Sequence, residues 1–158
     1  MDNSNDLIRP LGFWEAATAL NARRLLGAST MVILGEGRGP MCEASFKEAA
    51  RWLYARQIIL QCRLNDDHPV AQLIHDVRFE DIPCLTQHAD SETEITAIWE
   101  QLLHEELPDR RRLWEPRFAP TQNGDRWRVF LKVHHAIADG RSMAGMLNQF
   151  LELAGMVL

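Results

Sequence analysis

The run from Trp127 to Gly145, WRVFLKVHHAIADGRSMAG, leaves this chain few ways to fold. Trp127, Val129, Leu131 and Val133 alternate with Arg128, Phe130 and Lys132, the period of two that sends successive side chains to opposite faces of a strand. A Trp-Val-Leu-Val face must be buried, which predicts that this strand is central in its sheet. The strand runs into His134-His135, then Ala136, Ile137 and Ala138, and then Asp139-Gly140, where glycine permits a turn that other residues resist. Ser142 is the expected N-cap of a helix whose apolar residues are Met143, Met146, Leu147, Phe150 and Leu151. A histidine pair is thus held between a strand end and a helix start, a place from which scaffolded side chains point into a cleft.

The rest of the chain supplies elements for that strand to pack with. Residues 1–8 are polar and read as a flexible N-terminus; Pro10 and Gly12 mark a turn. Phe13 to Leu26 has weak helical spacing, and Thr30 to Leu34 is a compact β-branched run that reads as a central strand. Gly35 to Pro40 reads as a loop; its GEGRG lacks the Lys-Ser/Thr ending and glycine spacing of a phosphate-binding loop. Cys42 to Ala55 predicts a helix with Ala44, Phe46, Ala49, Ala50, Leu53 and Tyr54 on its apolar side and Glu43–Lys47 as an i,i+4 pair. Ile58 to Leu64 and Val70 to Ile74 read as strands around a turn at 65–69, and Val77 to Ile82 as a further extension of the sheet. Ser91 with Glu94 forms a capping box for a helix over 92–107 that buries Ile95, Ile98, Trp99, Leu102 and Leu103. Leu113 to Phe118 reads as a strand that Pro116 makes an edge or irregular one. Gln122-Asn123-Gly124-Asp125 is a hairpin turn into the final strand.

Composition narrows the function classes. The 158 residues, 46% apolar and 25% charged, suffice for one domain with a real core. A net charge of −5 gives nucleic acid no basic face to bind. No apolar run reaches transmembrane length, and residues 1–6 lack the basic start and apolar core of a secretion signal. Cys42, Cys62 and Cys84 are odd in number and widely spaced, which reads as reduced cytoplasmic thiols and not as a disulfide frame or zinc site.

The pattern His134-His135-x-x-x-Asp139-Gly140 resembles the active-site signature of the CoA- and carrier-protein-dependent acyltransferases. These include chloramphenicol acetyltransferase, the condensation domains of nonribosomal peptide synthetases, the wax ester synthase/diacylglycerol acyltransferases and the alcohol acyltransferases. Arg9-Pro10-Leu11-Gly12-Phe13-Trp14-Glu15 is similar to the opening of alcohol acyltransferase-like members, and Leu113-Trp114-Glu115 to a segment before the motif strand. The resemblance implies an α/β fold, a two-layer sandwich of one mixed, largely antiparallel sheet with flanking helices. It covers only the first of the family's two lobes, over residues 9–158. It also implies acyl transfer from a CoA or acyl-carrier thioester, the co-substrate, to an alcohol or amine, with no bound cofactor.

Residue roles follow from that resemblance. His135 corresponds to the general base, a task suited to a side chain that titrates near neutrality. His134 reads as a structural histidine. Asp139 is expected to shape the loop by ion-pairing an arginine, Arg63 first and Arg141 second, and Gly140 to let the backbone approach the reacting centre. The family's first arginine is replaced here by Gln61, and its preceding His-Pro is missing. His134, His135 and Asp139 lack a further ligand at suitable spacing, so no metal is expected. His68, His75, His88 and His104 read as surface or turn residues, and Trp52, Trp99, Trp114 and Trp127 as core. Arg110-Arg111-Arg112 reads as solvated surface, or as a patch for an acyl carrier protein or CoA phosphates. The expected partner is a second-lobe chain or another copy of this one. A non-catalytic binding or assembly half-domain is the competing reading.

Overall fold

The computed structural model describes residues 7–12, 15–17, 30–65, 72–108 and 111–157. Its strands are β1 (Leu7–Pro10), β2 (Thr30–Arg38), β3 (Cys62–Asn65), β4 (Gln72–His75), β5 (Leu85–Thr86), β6 (Trp114–Pro120) and β7 (Arg126–His134). Its helices are α1 (Glu43–Arg56), α2 (Glu92–His104) and α3 (Gly140–Val157). The helix read over Phe13 to Leu26 and the turn at 65–69 lie largely outside the described residues; Glu15 to Ala17 are helical. β1 already begins at Leu7, inside the segment read as loose.

One sheet has the order β2-β7-β6-β5, so the motif strand β7 is interior, as its apolar face requires. It pairs antiparallel with β2 and with β6, while β5 joins β6 in parallel. A second, antiparallel sheet has the order β1-β4-β3. The expected mixed sheet with flanking helices is present, and the helices cover both of its faces. Trp127, Val129, Leu131 and Val133 share a core with α1 and α3, whose buried residues include Phe46, Leu53, Met143 and Phe150. Phe46 stacks on Phe118 with ring centroids 5.1 Å apart. Phe130 points the other way and packs with Ala119 under Ile95, Ile98 and Leu102 of α2.

That second face also carries charge. Arg128 is buried, yet its Nε donates to Glu36 Oε1 at 2.7 Å and its Nη2 to Glu92 Oε1 at 2.6 Å. Lys132 is fully buried and its Nζ donates to the Glu105 carbonyl at 2.5 Å, closing the C-terminal end of α2. A buried charge is tolerated only when paired in this way. The capping box of α2 is formed as the sequence predicts: the Glu94 amide donates to Ser91 Oγ at 3.2 Å, and the Ser91 amide to Glu94 Oε2 at 2.9 Å.

Several local expectations are corrected. β2 continues through Gly35 and Gly37 to Arg38 and lies at the sheet edge, instead of ending in a glycine loop. Side chains packed over it explain why: a β-carbon on Gly37 would stand 2.0 Å from the Trp127 ring, and one on Gly35 2.8 Å from Leu147. β6 is interior despite Pro116. Gln87 donates to the Phe118 carbonyl, so residues of that parity face β5; Pro116, two residues earlier, precedes the first β5 pairing at Arg117, and its missing N–H costs no bond. Ile58–Gln61 and Phe79–Asp81 are single 3₁₀ turns, not strands. Leu103 and Trp52 are exposed, not core.

Candidate active site at the end of the motif strand

The motif leaves the sheet at His134. The His134 amide donates to the Leu113 carbonyl at 2.8 Å, and the His134 carbonyl accepts the Ile137 amide at 3.1 Å, which closes a turn over residues 134–137. The His134 ring follows Arg128, Phe130 and Lys132 onto the α2 face, where it is buried and its Nδ1 accepts the Ala136 amide at 3.0 Å. That bond ties the ring to its own turn.

His135 is the first residue free of the strand, and its side chain is exposed. It lines a pocket of about 320 Å³ with Glu15, Ala138, Asp139 and Ser142. Glu15 was not singled out as a site residue from sequence. Its carboxylate is positioned by the Gly12 amide, 2.7 Å from Oε2, and the Gly-x-x-Glu spacing ahead of an apolar stretch was the available signal.

The small residues between the histidines and the aspartate hold the loop down. Ala136 is buried with Leu11, Cys62, Leu64, Leu73 and Leu113, in the core beneath the three-stranded sheet. Ala138 is buried in the core beneath the four-stranded sheet. The loop therefore sits where the two sheets meet, and any larger side chain at Ala136 would have to displace one of these packed neighbours.

Asp139 differs from expectation. Its Oδ1 accepts the Ser142 amide at 2.7 Å, and its carbonyl accepts the Met143 amide at 2.9 Å. Asp139, not Ser142, is thus the N-cap of α3. The Ser142 amide hydrogen bond holds the Asp139 carboxyl below its ordinary range. Arg63 is committed elsewhere: its Nε lies 2.8 and 2.7 Å from the two carboxylate oxygens of Asp76, and its Nη2 2.7 Å from Oδ2. Among the described residues no arginine forms an ion pair with Asp139. The reason is geometric, since the carboxylate is turned onto the first turn of α3 and away from β3. Gly140 opens α3 with open space around its α-carbon.

Chemically, the arrangement presents an imidazole at a pocket mouth, backed by a locked turn and flanked by two carboxylates and a hydroxyl. Such a group can accept a proton from a bound O–H or N–H nucleophile. The two imidazoles of the motif diverge, His134 inward and His135 outward. Among the described residues no set of three or more His, Cys, Asp or Glu side chains is arranged to hold a metal ion.

The fold is that of part of the solved condensation domains. Residues 87–155 match the family model of the wax ester synthase/diacylglycerol acyltransferase catalytic domain. The starter condensation domain of rhizomide synthetase superposes with a TM-score of 0.78 at 13% identity, over 91% of this chain and 38% of its own. The first condensation domain of the calcium-dependent antibiotic synthetase gives 0.74 at 21%, over 93% and 39%. Polyketide synthase associated protein 5 from Mycobacterium tuberculosis gives 0.66 at 17%, over 93% and 32%. The chain therefore spans less than two fifths of the length of these structures. No curated protein sequence matches it. The resemblance thus holds in fold to condensation domains, and in sequence over residues 87–155 to the wax ester synthase/diacylglycerol acyltransferase model. No helix among the described residues is long and apolar enough to cross a membrane.

Proposed function

We propose that residues 9–158 are the N-terminal lobe of an acyltransferase that moves an acyl group from a CoA or acyl-carrier thioester to an alcohol or amine. His135 takes the acceptor's proton as its oxygen or nitrogen attacks the thioester carbonyl. The new ester or amide bond forms, the carbon–sulfur bond breaks, and the proton passes to the departing thiolate. The single observation that carries this reading is the exposed His135 at a pocket mouth, next to a buried His134 that is locked by the Ala136 amide. The site needs a second wall, supplied by a second-lobe chain or by another copy. The three free thiols support a reducing compartment such as the cytoplasm.

The test is thioester consumption over a panel of acyl-CoA and acyl-carrier donors with alcohol and amine acceptors, with and without a second-lobe polypeptide. Replacing His135 by Ala is expected to lower transfer by roughly 10²- to 10⁴-fold while circular dichroism is unchanged. Undiminished transfer by that variant overturns the role of His135.

One observation favours a second reading. With Arg63 held by Asp76, no arginine among the described residues forms the clamp on Asp139 that the resemblance implies. A non-catalytic half-domain that assembles with a partner accommodates this. It predicts no transfer in any combination, but a stable complex with the second-lobe chain.

A further inference from the structure

On the side of the four-stranded sheet away from β2, no strand among the described residues pairs with β5. Gln87 donates to the Phe118 carbonyl at 2.9 Å and Ala89 to the Pro120 carbonyl at 3.1 Å. The β6 pairing that starts at Leu85 therefore continues to residue 89. Because the backbone alternates, the N–H and C=O groups of Thr86 and His88 face outward. Neither amide donates to any described residue. A free row of this kind is a template for another strand.

Beside this edge lies a groove of about 610 Å³, where α2 ends before it covers the sheet. Leu85, half exposed, and Gln87 form its edge-strand wall; Gln101, Glu105 and Glu106 form its helix wall. Its floor includes Arg117, nine-tenths buried. Arg117 and Lys132 both engage Glu105, and Arg112 engages Glu115 at 2.6 Å. Glu106 is exposed at the rim, and no described cation engages it. The negative end of α2 points at the same place.

We propose that this edge binds an extended peptide segment of another protein by strand addition along residues 85–89, and that the segment carries a lysine or arginine facing Glu106. Main-chain bonds to Thr86 and His88 supply affinity, and the side chains that alternate into the groove supply selection. Glu105 is shared by Arg117 and Lys132 and Glu115 is held by Arg112, which leaves Glu106 as the carboxylate that no described cation engages, so a basic side chain beside it is matched and an acidic one is repelled. The proposal is independent of any acyl transfer, since it uses neither His135 nor its pocket.

The test uses the full chain and a fluorescent, blocked, threonine-rich octapeptide with one central lysine. Saturable binding in the millimolar range or tighter is expected, with slowed hydrogen exchange at the Thr86 and His88 amides. Replacing the peptide lysine by glutamate, or Glu106→Gln in the protein, is expected to weaken binding about tenfold or more. His88→Pro removes an outward amide without touching the β6 pairing and is expected to abolish binding, whereas His88→Ala keeps that amide and retains binding. Should His88→Pro fail to fold, a peptide N-methylated at alternate residues tests the same bonds from the other side. Absence of saturable binding, equal binding of the acidic peptide, or unprotected Thr86 and His88 amides overturns the proposal. So does a peptide-free dimer that pairs through this edge, which would make the occupant a second copy.

Discussion

The Trp127 indole lies flat across Gly37 on the neighbouring strand, so close that a β-carbon there would overlap the ring at 2.0 Å. Gly37→Ala is expected to force the indole out of the core at a cost of about 1–3 kcal/mol. Gly39→Ala supplies the comparison: that site has open space but a φ of +93°, so only backbone strain, about 1–2 kcal/mol, is expected. Urea denaturation should separate the two by near-ultraviolet circular dichroism as well, because only the first disturbs an indole.

Trp114 is fully buried, and its Nε1 donates to the Leu60 carbonyl at 3.0 Å, which ties β6 to the 3₁₀ turn before β3. Trp114→Phe removes the donor and leaves that buried carbonyl unsatisfied. A loss of about 1–3 kcal/mol follows from the bond alone, before any cavity is counted, and chemical denaturation measures it.

The part played by Asp139 sets a pH signature. Its carboxyl titrates lower in the folded state than in the unfolded one, chiefly because of the Ser142 amide. Its contribution to holding α3 is therefore complete above the unfolded carboxylate value and is lost as pH falls through the lower folded value. Asn also caps helices well, so Asp139→Asn should keep α3 and shed this acid-sensitive component, while Asp139→Ala should loosen the first turn at all pH values. Hydrogen exchange at the Ser142 amide reads both effects.

The thiols should separate by reactivity. Cys42 caps α1, with the Ser45 amide donating to its Sγ at 3.4 Å, and its thiol titrates below the ordinary value. Burial pushes Cys62 and Cys84 up to about 11. At mildly alkaline pH, iodoacetamide should therefore label Cys42 first, and Cys62 and Cys84 only on unfolding. Mass spectrometry of a time course checks the order; early labelling of Cys62 would contradict it.

What could be read from the sequence depended on how local the physics was. The β7 alternation and the Ser91–Glu94 capping box are set by neighbours within a few residues and stand as read, as do Phe46, Ala49, Ala50 and Leu53 on the face of α1, whereas Ala44 is exposed. Gly35 and Gly37 misled because their place in β2 is fixed by Leu147 and Trp127, far along the chain. Pro116 misled because its tolerance depends on where β5 begins. At the site, the positions of His134 and His135 follow from strand parity. The partner of Arg63 did not: the choice between Asp76 and Asp139 depends on how β3 and β4 register, which places Asp76 next to His75 opposite Cys62.

Ala136 and Ala138, two residues apart, are rooted in different cores. Ile137, between them, packs against both cores, and His135 stands at the start of this bridge. Anything that tilts the three-stranded sheet against the four-stranded one therefore pulls first on residues 136–138, the short bridge that carries His135 at its head.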